Sequence, residues 1–120
     1  MDDEEFIRII IPHWLTPSGC MVETAEDGRQ AIGQFKQALS AGTPFDLVIL
    51  DLTIPGSMGG TEVMKQFLSC QPKVRGIVSS GYAEDPVMSN YAEYGFKGIL
   101  AKPYTESQLK EVVDRVMSGS

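Results

Sequence analysis

The sequence predicts an α/β fold with a parallel sheet, in one domain over residues 1–120. Short segments that are apolar on both faces alternate along the chain with amphipathic stretches of helical periodicity. Helices cover both sides of a parallel sheet, so its strands are apolar throughout, and this alternation is typical of α/β proteins. A chain of 120 residues supports one hydrophobic core and leaves no room for a second domain.

Four segments are predicted as strands. Residues 45–50 form the clearest one, an apolar run that ends at Asp51. Residues 74–78 and 98–101 have the same character, and residues 21–24 form a weaker strand. All four have the length of buried strands rather than of helices, so they are assigned to one sheet.

Helices are predicted between the strands from their starts and their apolar faces. Asp27 and Thr105 are each followed three residues later by a glutamine, which is the pattern of a capping box. Pro86 follows an aspartate, and proline at the first helical position removes no N–H that the helix needs. Apolar residues recur at helical spacing in residues 63–68 and 109–116, which indicates faces that pack on the sheet.

The amino-terminal segment departs from the alternation. Residues 6–11 have the pattern of a first helix, which the chain reaches from an acidic turn with no strand before it. Pro12 removes the N–H that the carbonyl of Arg8 would accept, so a kink or an early end is expected near Ile11. The sequence therefore predicts four strands and five helices. These numbers are unusual for a fold built from strand–helix units, in which strands and helices are equally many.

Composition narrows the classes of function. Acidic residues outnumber basic ones by 16 to 10, and the net charge of −6 disfavours direct binding of nucleic acid. No apolar run approaches the roughly 20 residues that span a bilayer, and the acidic amino terminus lacks a signal-peptide pattern. The two cysteines are too far apart for a metal or disulfide motif. We therefore expect a cytoplasmic domain with no membrane partner.

Polar residues follow the predicted strands at the edge where open parallel sheets bind ligands. They are Asp51, Ser79-Ser80 and Lys102, which supply a carboxylate, hydroxyl groups and an ammonium group. Asp2 and Asp3, just before the first helix, add two carboxylates that could converge on the same crevice. Three neighbouring carboxylates stay ionised only beside a cation, and Mg²⁺ commonly joins carboxylates to phosphate. A carboxylate is also a competent nucleophile toward phosphorus. The residues therefore predict a metal-assisted acceptor of a phosphoryl group.

Five short motifs resemble, in order, those of the receiver domain of two-component response regulators. They cover essentially the whole chain: Asp2-Asp3, residues 50–55 with Pro55 four positions after Asp51, Gly59-Gly60, residues 79–82 with Ser80 in the Ser/Thr position, and residues 101–104 with Lys102-Pro103 before an aromatic residue. Residues 51–68 and 79–104 are most similar to the receiver of a hybrid sensor histidine kinase. The resemblance implies a flavodoxin-like (receiver-type) doubly wound parallel sheet, with strand order 2-1-3-4-5 and a cis Lys-Pro bond.

The resemblance also implies what the site does. Asp51 would accept a phosphoryl group from a phosphohistidine of a sensor histidine kinase or phosphotransfer domain. Lys102 would pair with the phosphoryl oxygens, and Ser80 would form a hydrogen bond to them. Such a module is not an enzyme in the usual sense, because it catalyses only its own phosphorylation and dephosphorylation.

Magnesium is the cofactor that the resemblance implies. Asp3, Asp51 and the carbonyl of Thr53 would bind Mg²⁺ directly, and Asp2 would act through a water molecule. The metal and the lysine would then neutralise charge on the transferred oxygens.

Two departures from the family pattern change these expectations. Ile99 stands where receivers carry the aromatic residue that couples to the Ser/Thr position, so output through a rotating aromatic side chain is not expected. Receivers also begin with a central strand that leads into the acidic pair, and this chain has at most one residue of it. Losing that strand leaves two strand edges unpaired and removes buried side chains that stabilise by roughly 1.5–3 kcal/mol each.

Three explanations of the missing strand stay open: a shortened chain or misplaced start, a strand donated by a partner, and a rearrangement by swapping. We expect exchange or self-association, as a homodimer or a strand-swapped assembly, to compensate for the loss. The alternative function is a non-phosphorylatable receiver-like interaction or assembly module, disabled by loss of the first strand. A phosphatase that uses an aspartyl phosphate is disfavoured, because Thr53 stands where haloacid-dehalogenase-type enzymes need a second aspartate.

Overall fold

A computed structural model describes residues 1–119 as alternating helices and strands. This range contains five α-helices: α1 Glu5–Leu15, α2 Gly28–Ser40, α3 Gly60–Cys70, α4 Pro86–Ser89 and α5 Glu106–Ser118. It contains three strands: β1 Leu47–Asp51, β2 Arg75–Ser80 and β3 Gly98–Ala101. Two short 3₁₀ helices follow α1 and α4, at Thr16–Ser18 and Tyr91–Tyr94.

The three strands form one parallel sheet in the order β1-β2-β3. Leu50 of β1 pairs with Val78 of β2, and Val78 pairs with Ile99 of β3. The α/β fold with a parallel sheet is therefore as predicted, and the carboxyl ends of all three strands lie at the same edge.

The strand predicted at residues 21–24 is wrong, because these residues belong to no strand. Their backbone N–H and C=O groups make no backbone hydrogen bond within residues 1–119. Met1 and Asp2 lie between this part of the chain and β1, with the N–H of Asp2 donating to the carbonyl of Ala25 at 3.0 Å. A strand needs a bonded neighbour, and residues 21–24 have none.

Helices cover both faces of the sheet. On one face, α2 and α3 contribute a buried cluster in which the rings of Phe35 and Phe67 stack with centroids 4.0 Å apart. On the other face, α1 and α5 enclose a second cluster that contains the fully buried Ile77 and Leu109. Neighbouring residues of β2 face opposite clusters, with Ile77 in the second and Val78 in the first. This covering fixes the sheet and leaves its carboxyl edge free to hold polar groups.

The predicted helix starts agree with the structure. The side chain of Asp27 accepts a hydrogen bond from the N–H of Gln30, and Thr105 and Gln108 form a complete capping box. The side chain of Asp85 caps α4 in the same way. These caps satisfy N–H groups that have no partner inside a helix.

Of the kink or early end expected near Ile11, the early end is wrong, because α1 continues through Pro12 to Leu15. Leu15 is buried, and Trp14 packs edge-on against Tyr104 with ring centroids 6.4 Å apart. These tertiary contacts hold the last turn of α1 and outweigh the hydrogen bond that the proline removes. Over the part of the chain described, no helix combines the length and the apolar character needed to cross a membrane.

Candidate functional site at the carboxyl edge of the sheet

The sequence-predicted site residues meet at one edge of the sheet. Asp51 is the last residue of β1, Ser80 is the last residue of β2, and Lys102 directly follows β3. Asp2 and Asp3 lie in the turn that leads into α1. The edge outside the carboxyl ends of parallel strands is where open α/β sheets bind their ligands.

Lys102 is bound by carboxylates from separate parts of the chain. Its Nζ lies 2.8 Å from Asp2, 3.3 Å from Asp51 and 3.6 Å from Glu4. Asp2 and Asp51 are only 6% and 5% exposed. Buried carboxylates are unfavourable unless they are paired, so Lys102 compensates the two acids that this edge encloses. The peptide bond from Lys102 to Pro103 is cis, as the resemblance implies.

Sequence reasoning missed Glu4, the third acid on Lys102. The N–H of Glu4 donates to a carboxylate oxygen of Asp2 at 3.0 Å, which forms a tight turn at the start of α1. The guanidinium of Arg8 donates to the carbonyl of Asp2 at 3.0 Å and lies 3.8 Å from Glu26, so it fixes the same turn from the other side. The available signal was the spacing, since an aspartate commonly accepts from the N–H two residues later.

Asp2, Asp3 and Asp51 form a set of oxygen donors that fits a divalent cation. One carboxylate oxygen of each lies within 4.8 Å of the others. Asp3 is exposed while the other two are buried, so the group opens to solvent on one side. Carboxylate oxygens are the ligands of hard ions such as Mg²⁺. Thr53, whose carbonyl the resemblance implies as a further ligand, is exposed, and its N–H donates to Asp51.

The charges at the site shift the pKa values of the key groups. Burial, and then the charge of Asp2, raise the pKa of Asp51 from 3.8 to about 6, against the opposing effects of Lys102 and the Thr53 N–H. Burial alone would lower the pKa of Lys102, but Asp2, Asp51 and Glu4 together raise it above its ordinary value. Lys102 therefore stays protonated at neutral pH. Because the pKa of Asp51 is about 6, a cation bound beside its carboxylate would be enough to keep Asp51 fully ionised.

Two glycines allow the chain after Asp51 to fold closely over the site. A Cβ atom on Gly59 would lie 2.6 Å from the carbonyl oxygen of Leu52, and one on Gly60 would lie 2.7 Å from the carbonyl oxygen of Asp51. The N–H of Gly60 donates to the carbonyl of Leu52 at 3.1 Å, which joins the start of α3 to the end of β1. The glycine pair is therefore needed for this close approach of two backbones.

Ser80 is placed at the site with a hydroxyl group that can still donate. It is 2% exposed, and its Oγ accepts a hydrogen bond from the N–H of Tyr82 at 3.0 Å. The Oγ of the neighbouring Ser79 is also buried and has no hydrogen-bond partner within residues 1–119. Ile99, at the position of the expected aromatic residue, is half-buried and packs on the cluster of α2 and α3.

Fold and site together define a domain of the receiver class. A parallel sheet covered by helices on both faces holds an aspartate, an acidic pair and a lysine at its carboxyl edge. The chain belongs to the response regulator receiver domain family, whose family model matches residues 1–114.

Relatives and solved structures agree with this assignment. The chain is 28% identical to sporulation initiation phosphotransferase F of Bacillus subtilis, over 98% of this chain and 90% of that protein. It superposes on the chemotaxis protein CheY4 of Vibrio cholerae with a TM-score of 0.84 and 28% identity, covering 96% of this chain and 92% of that one. It superposes on the Thermotoga maritima response regulator TrrA with a TM-score of 0.78 and 28% identity, covering 96% and 93%. The predicted flavodoxin-like, receiver-type fold is thereby confirmed.

Proposed function

We propose that the protein is a phosphoacceptor module of a two-component phosphorelay. Asp51 accepts a phosphoryl group from a phosphohistidine of a sensor histidine kinase or phosphotransfer domain, with Mg²⁺ as cofactor. The observation that carries this proposal is the position of Asp51, whose carboxylate lies 3.3 Å from the Lys102 ammonium and within 4.8 Å of oxygens of Asp2 and Asp3. Phosphoryl transfer needs this combination of a nucleophile, a fixed cation and metal ligands at one point.

Two of the similar proteins support the proposal. The Bacillus subtilis relative is a phosphotransferase by name, and the TrrA structure is a complex with Mg²⁺ and BeF. The narrower similarity to receivers of hybrid sensor kinases stays a prediction, as does action in the cytoplasm.

The side chains of the site suggest how the transfer proceeds. An ionised oxygen of Asp51 attacks phosphorus, and an acyl phosphate forms while the bond from phosphorus to the imidazole nitrogen of the donor breaks. The bonding pair leaves with that nitrogen, which can take a proton from solvent. Lys102 exchanges its contact with the Asp51 carboxylate for contacts with the phosphoryl oxygens. The hydroxyl of Ser80 accepts from Tyr82, so its own proton is free to bind one of those oxygens.

The acidic residues would hold the metal. Asp3 and Asp51 would ligate Mg²⁺ with the carbonyl of Thr53, and Asp2, which already binds Lys102 at 2.8 Å, would act through water. Bound Mg²⁺ supplies positive charge for the phosphoryl oxygens. The module catalyses its own phosphorylation and dephosphorylation and needs no other enzyme activity.

Acetyl phosphate with MgCl₂ tests the proposal, with intact-protein mass as the readout. We expect one added phosphoryl group on the native chain and none on Asp51→Asn or without Mg²⁺. Asp46→Asn is the matched control, because this exposed aspartate precedes the opposite end of β1. A folded native chain that gains no mass would overturn the proposal and favour the non-phosphorylatable interaction module. A phosphorylated Asp51→Asn variant would assign the acceptor to another residue.

A further inference from the structure

Arg8 links the turn at residues 2–4, which we call the acidic turn, to the start of α2. One terminal nitrogen of its guanidinium donates to the carbonyl of Asp2 at 3.0 Å, and the other lies 3.8 Å from a carboxylate oxygen of Glu26. Glu26 directly precedes the residue that caps α2, and its N–H donates to the side chain of Gln30 at 2.8 Å. Arg8 is therefore held on one side by the start of α2 and holds the acidic turn on the other.

The hydrogen bond from Arg8 fixes the peptide group between Asp2 and Asp3. The carbonyl that accepts this bond belongs to that peptide group. The preceding peptide group is fixed as well, because the N–H of Asp2 donates to the carbonyl of Ala25 at 3.0 Å. A planar peptide group that is held at its carbonyl restricts the direction in which the next residue leaves it. The position of Asp3 relative to Asp51 therefore depends on Arg8.

Asp3 lacks the side-chain contacts that hold the other two acids of the site. Asp2 and Asp51 are buried, and each binds the ammonium group of Lys102. The carboxylate of Asp3 is exposed, and within residues 1–119 it makes no hydrogen bond or ion pair. Its place within 4.8 Å of the other two carboxylates is therefore set by the backbone, which Arg8 holds.

The two contacts of Arg8 differ in strength. The side chain of Arg8 is 23% exposed, whereas that of Glu26 is 60% exposed. At 3.8 Å the ion pair with Glu26 is longer than a hydrogen bond, and an exposed partner makes such a pair weak. The bond to the carbonyl of Asp2, at 3.0 Å, is the stronger contact. Glu26 should accordingly contribute less than Arg8 to the position of the acidic turn.

We propose that Arg8 is a positioning residue for the binding of Mg²⁺, which holds Asp3 where the ion requires a ligand. The inference rests on the proposed function, in which Asp3 and Asp51 ligate Mg²⁺. Replacing a group that orients a metal ligand typically weakens metal binding by about 10–100-fold. Arg8 acts on the backbone beside its ligand and not on the carboxylate itself, so we expect an effect near the lower end of this range.

The charge of Arg8 and its positioning role predict opposite effects on the binding of Mg²⁺. A guanidinium group close to the acidic turn repels a divalent cation, so its charge alone weakens binding. If Arg8 acted only through this charge, methionine in its place would strengthen binding and lysine would leave it unchanged. If Arg8 positions Asp3, both replacements weaken binding, because neither a thioether nor a single ammonium group can bond to the Asp2 carbonyl and to Glu26 together.

Titration of the full chain with MgCl₂ at pH 7.5 and constant ionic strength tests the proposal, with amide NMR as the readout. We expect the dissociation constant of Mg²⁺ to rise about tenfold in Arg8→Lys and in Arg8→Met, and about twofold in Glu26→Gln. Arg29→Lys is the matched control, because Arg29 is exposed on α2 and should leave the affinity unchanged. Native affinity in Arg8→Lys would overturn the proposal, and stronger binding by Arg8→Met would assign an electrostatic role to Arg8 instead.

A second measurement separates the position of the ligand from general damage to the site and from the proposed function. Labelling by acetyl phosphate should need a higher half-saturating concentration of Mg²⁺ in Arg8→Lys, with a rate at saturation within about twofold of the native rate. A lower rate at saturation with an unchanged half-saturating concentration would contradict the positioning role. A native chain that binds Mg²⁺ but is not labelled would overturn the proposed function, and the titration alone would then decide the role of Arg8. A native chain that binds no Mg²⁺ would overturn this inference.

Discussion

The ammonium group of Lys102 lies 2.8 Å from a carboxylate oxygen of Asp2, closer than the 3.3 Å that separates it from Asp51. Asp51, which would receive the phosphoryl group, therefore shares Lys102 with Asp2, which would not. Because Asp2 keeps its own contact with Lys102, the lysine can turn from the Asp51 carboxylate to an arriving phosphoryl group without leaving the site. The pair of Asp2 and Lys102 thus sets the position of the cation before any ligand arrives.

Replacing Lys102 by methionine should destabilise the fold more than the same replacement of an exposed lysine does. The variant leaves the buried carboxylates of Asp2 and Asp51 without their cation, which costs about 3 kcal/mol of unfolding free energy. Urea unfolding at pH 7.5 measures the loss. Lys110→Met is the matched control, because Lys110 pairs with Glu106 across one exposed turn at 2.8 Å and should cost no more than about 0.5 kcal/mol. Equal losses for the two variants would contradict the role of Lys102. Added Mg²⁺ should stabilise Lys102→Met more than Lys110→Met, because only the first variant has lost the cation that compensates these carboxylates.

Replacing Asp51 by asparagine should stabilise the metal-free protein at neutral pH. The pKa of Asp51 is raised from 3.8 to about 6, so between these values the folded state binds a proton that the unfolded state has released. Stability is then lost as pH rises through this window, and the asparagine variant avoids the loss. We expect the variant to be more stable by on the order of 2 kcal/mol at pH 7.5 and equal to the native chain near pH 3.5.

The amino group of Met1 also titrates in this pH range. Burial lowers its pKa to about 6 despite the nearby acids, so its own effect is a gain of stability as pH rises from about 6 to 8. Because the charge of Asp51 raises the pKa of the Met1 amino group, the difference between the two proteins reports Asp51 together with its effect on Met1. Chemical unfolding from pH 3.5 to 8 in EDTA is the measurement, and a difference that stays constant with pH would contradict the raised pKa.

The sequence was sufficient for the three observed strands and for the placement of Asp51, Ser80 and Lys102 at their carboxyl ends. Apolar runs that end in polar residues mark buried parallel strands, and the ends of parallel strands converge whatever the details of packing. Residues 21–24 have the composition of a strand but lack a bonded neighbour, which no local pattern reveals. The helix through Pro12 is likewise decided by distant contacts.

The turn that contains Asp2 and Asp3 also shows what the sequence alone does not determine, which is the role of each residue within a cluster. Asp2 and Asp3 are adjacent and chemically identical, so the sequence treats them as a pair. In the structure Asp2 is buried against Lys102 while Asp3 is exposed to solvent. Glu4 joins the site because its N–H bonds to Asp2, which is a consequence of the turn and not of the residue type. Roles within a cluster depend on backbone direction, which composition does not encode.

Replacing Gly60 by alanine should disturb the site even though alanine favours helices. The added Cβ would lie 2.7 Å from the carbonyl oxygen of Asp51, a backbone atom that cannot move without shifting the end of β1. We expect a loss of about 2 kcal/mol in unfolding free energy and weaker binding of Mg²⁺. Gly33→Ala is the control, because Gly33 lies inside α2 with nothing within 4 Å of a new Cβ, and it should gain about 0.5–1 kcal/mol. A gain in both variants would mean that the chain after Asp51 is not closely packed.

Binding of Mg²⁺ should weaken as the solution becomes acidic, with a midpoint set by Asp51. The ion binds the ionised carboxylate, whose pKa is about 6 without metal, so binding must release a proton below that pH. Apparent affinity should therefore be nearly constant from pH 7 to 8 and fall by up to about tenfold per pH unit below 6. Tryptophan fluorescence can report the titration, because Trp14 packs on Tyr104, two residues from Lys102. Asp51→Asn should bind Mg²⁺ weakly and lose this dependence on pH, whereas Asp46→Asn should match the native chain. A native affinity that does not change between pH 5 and 8 would show that Asp51 is ionised throughout, and that burial beside Asp2 does not raise its pKa.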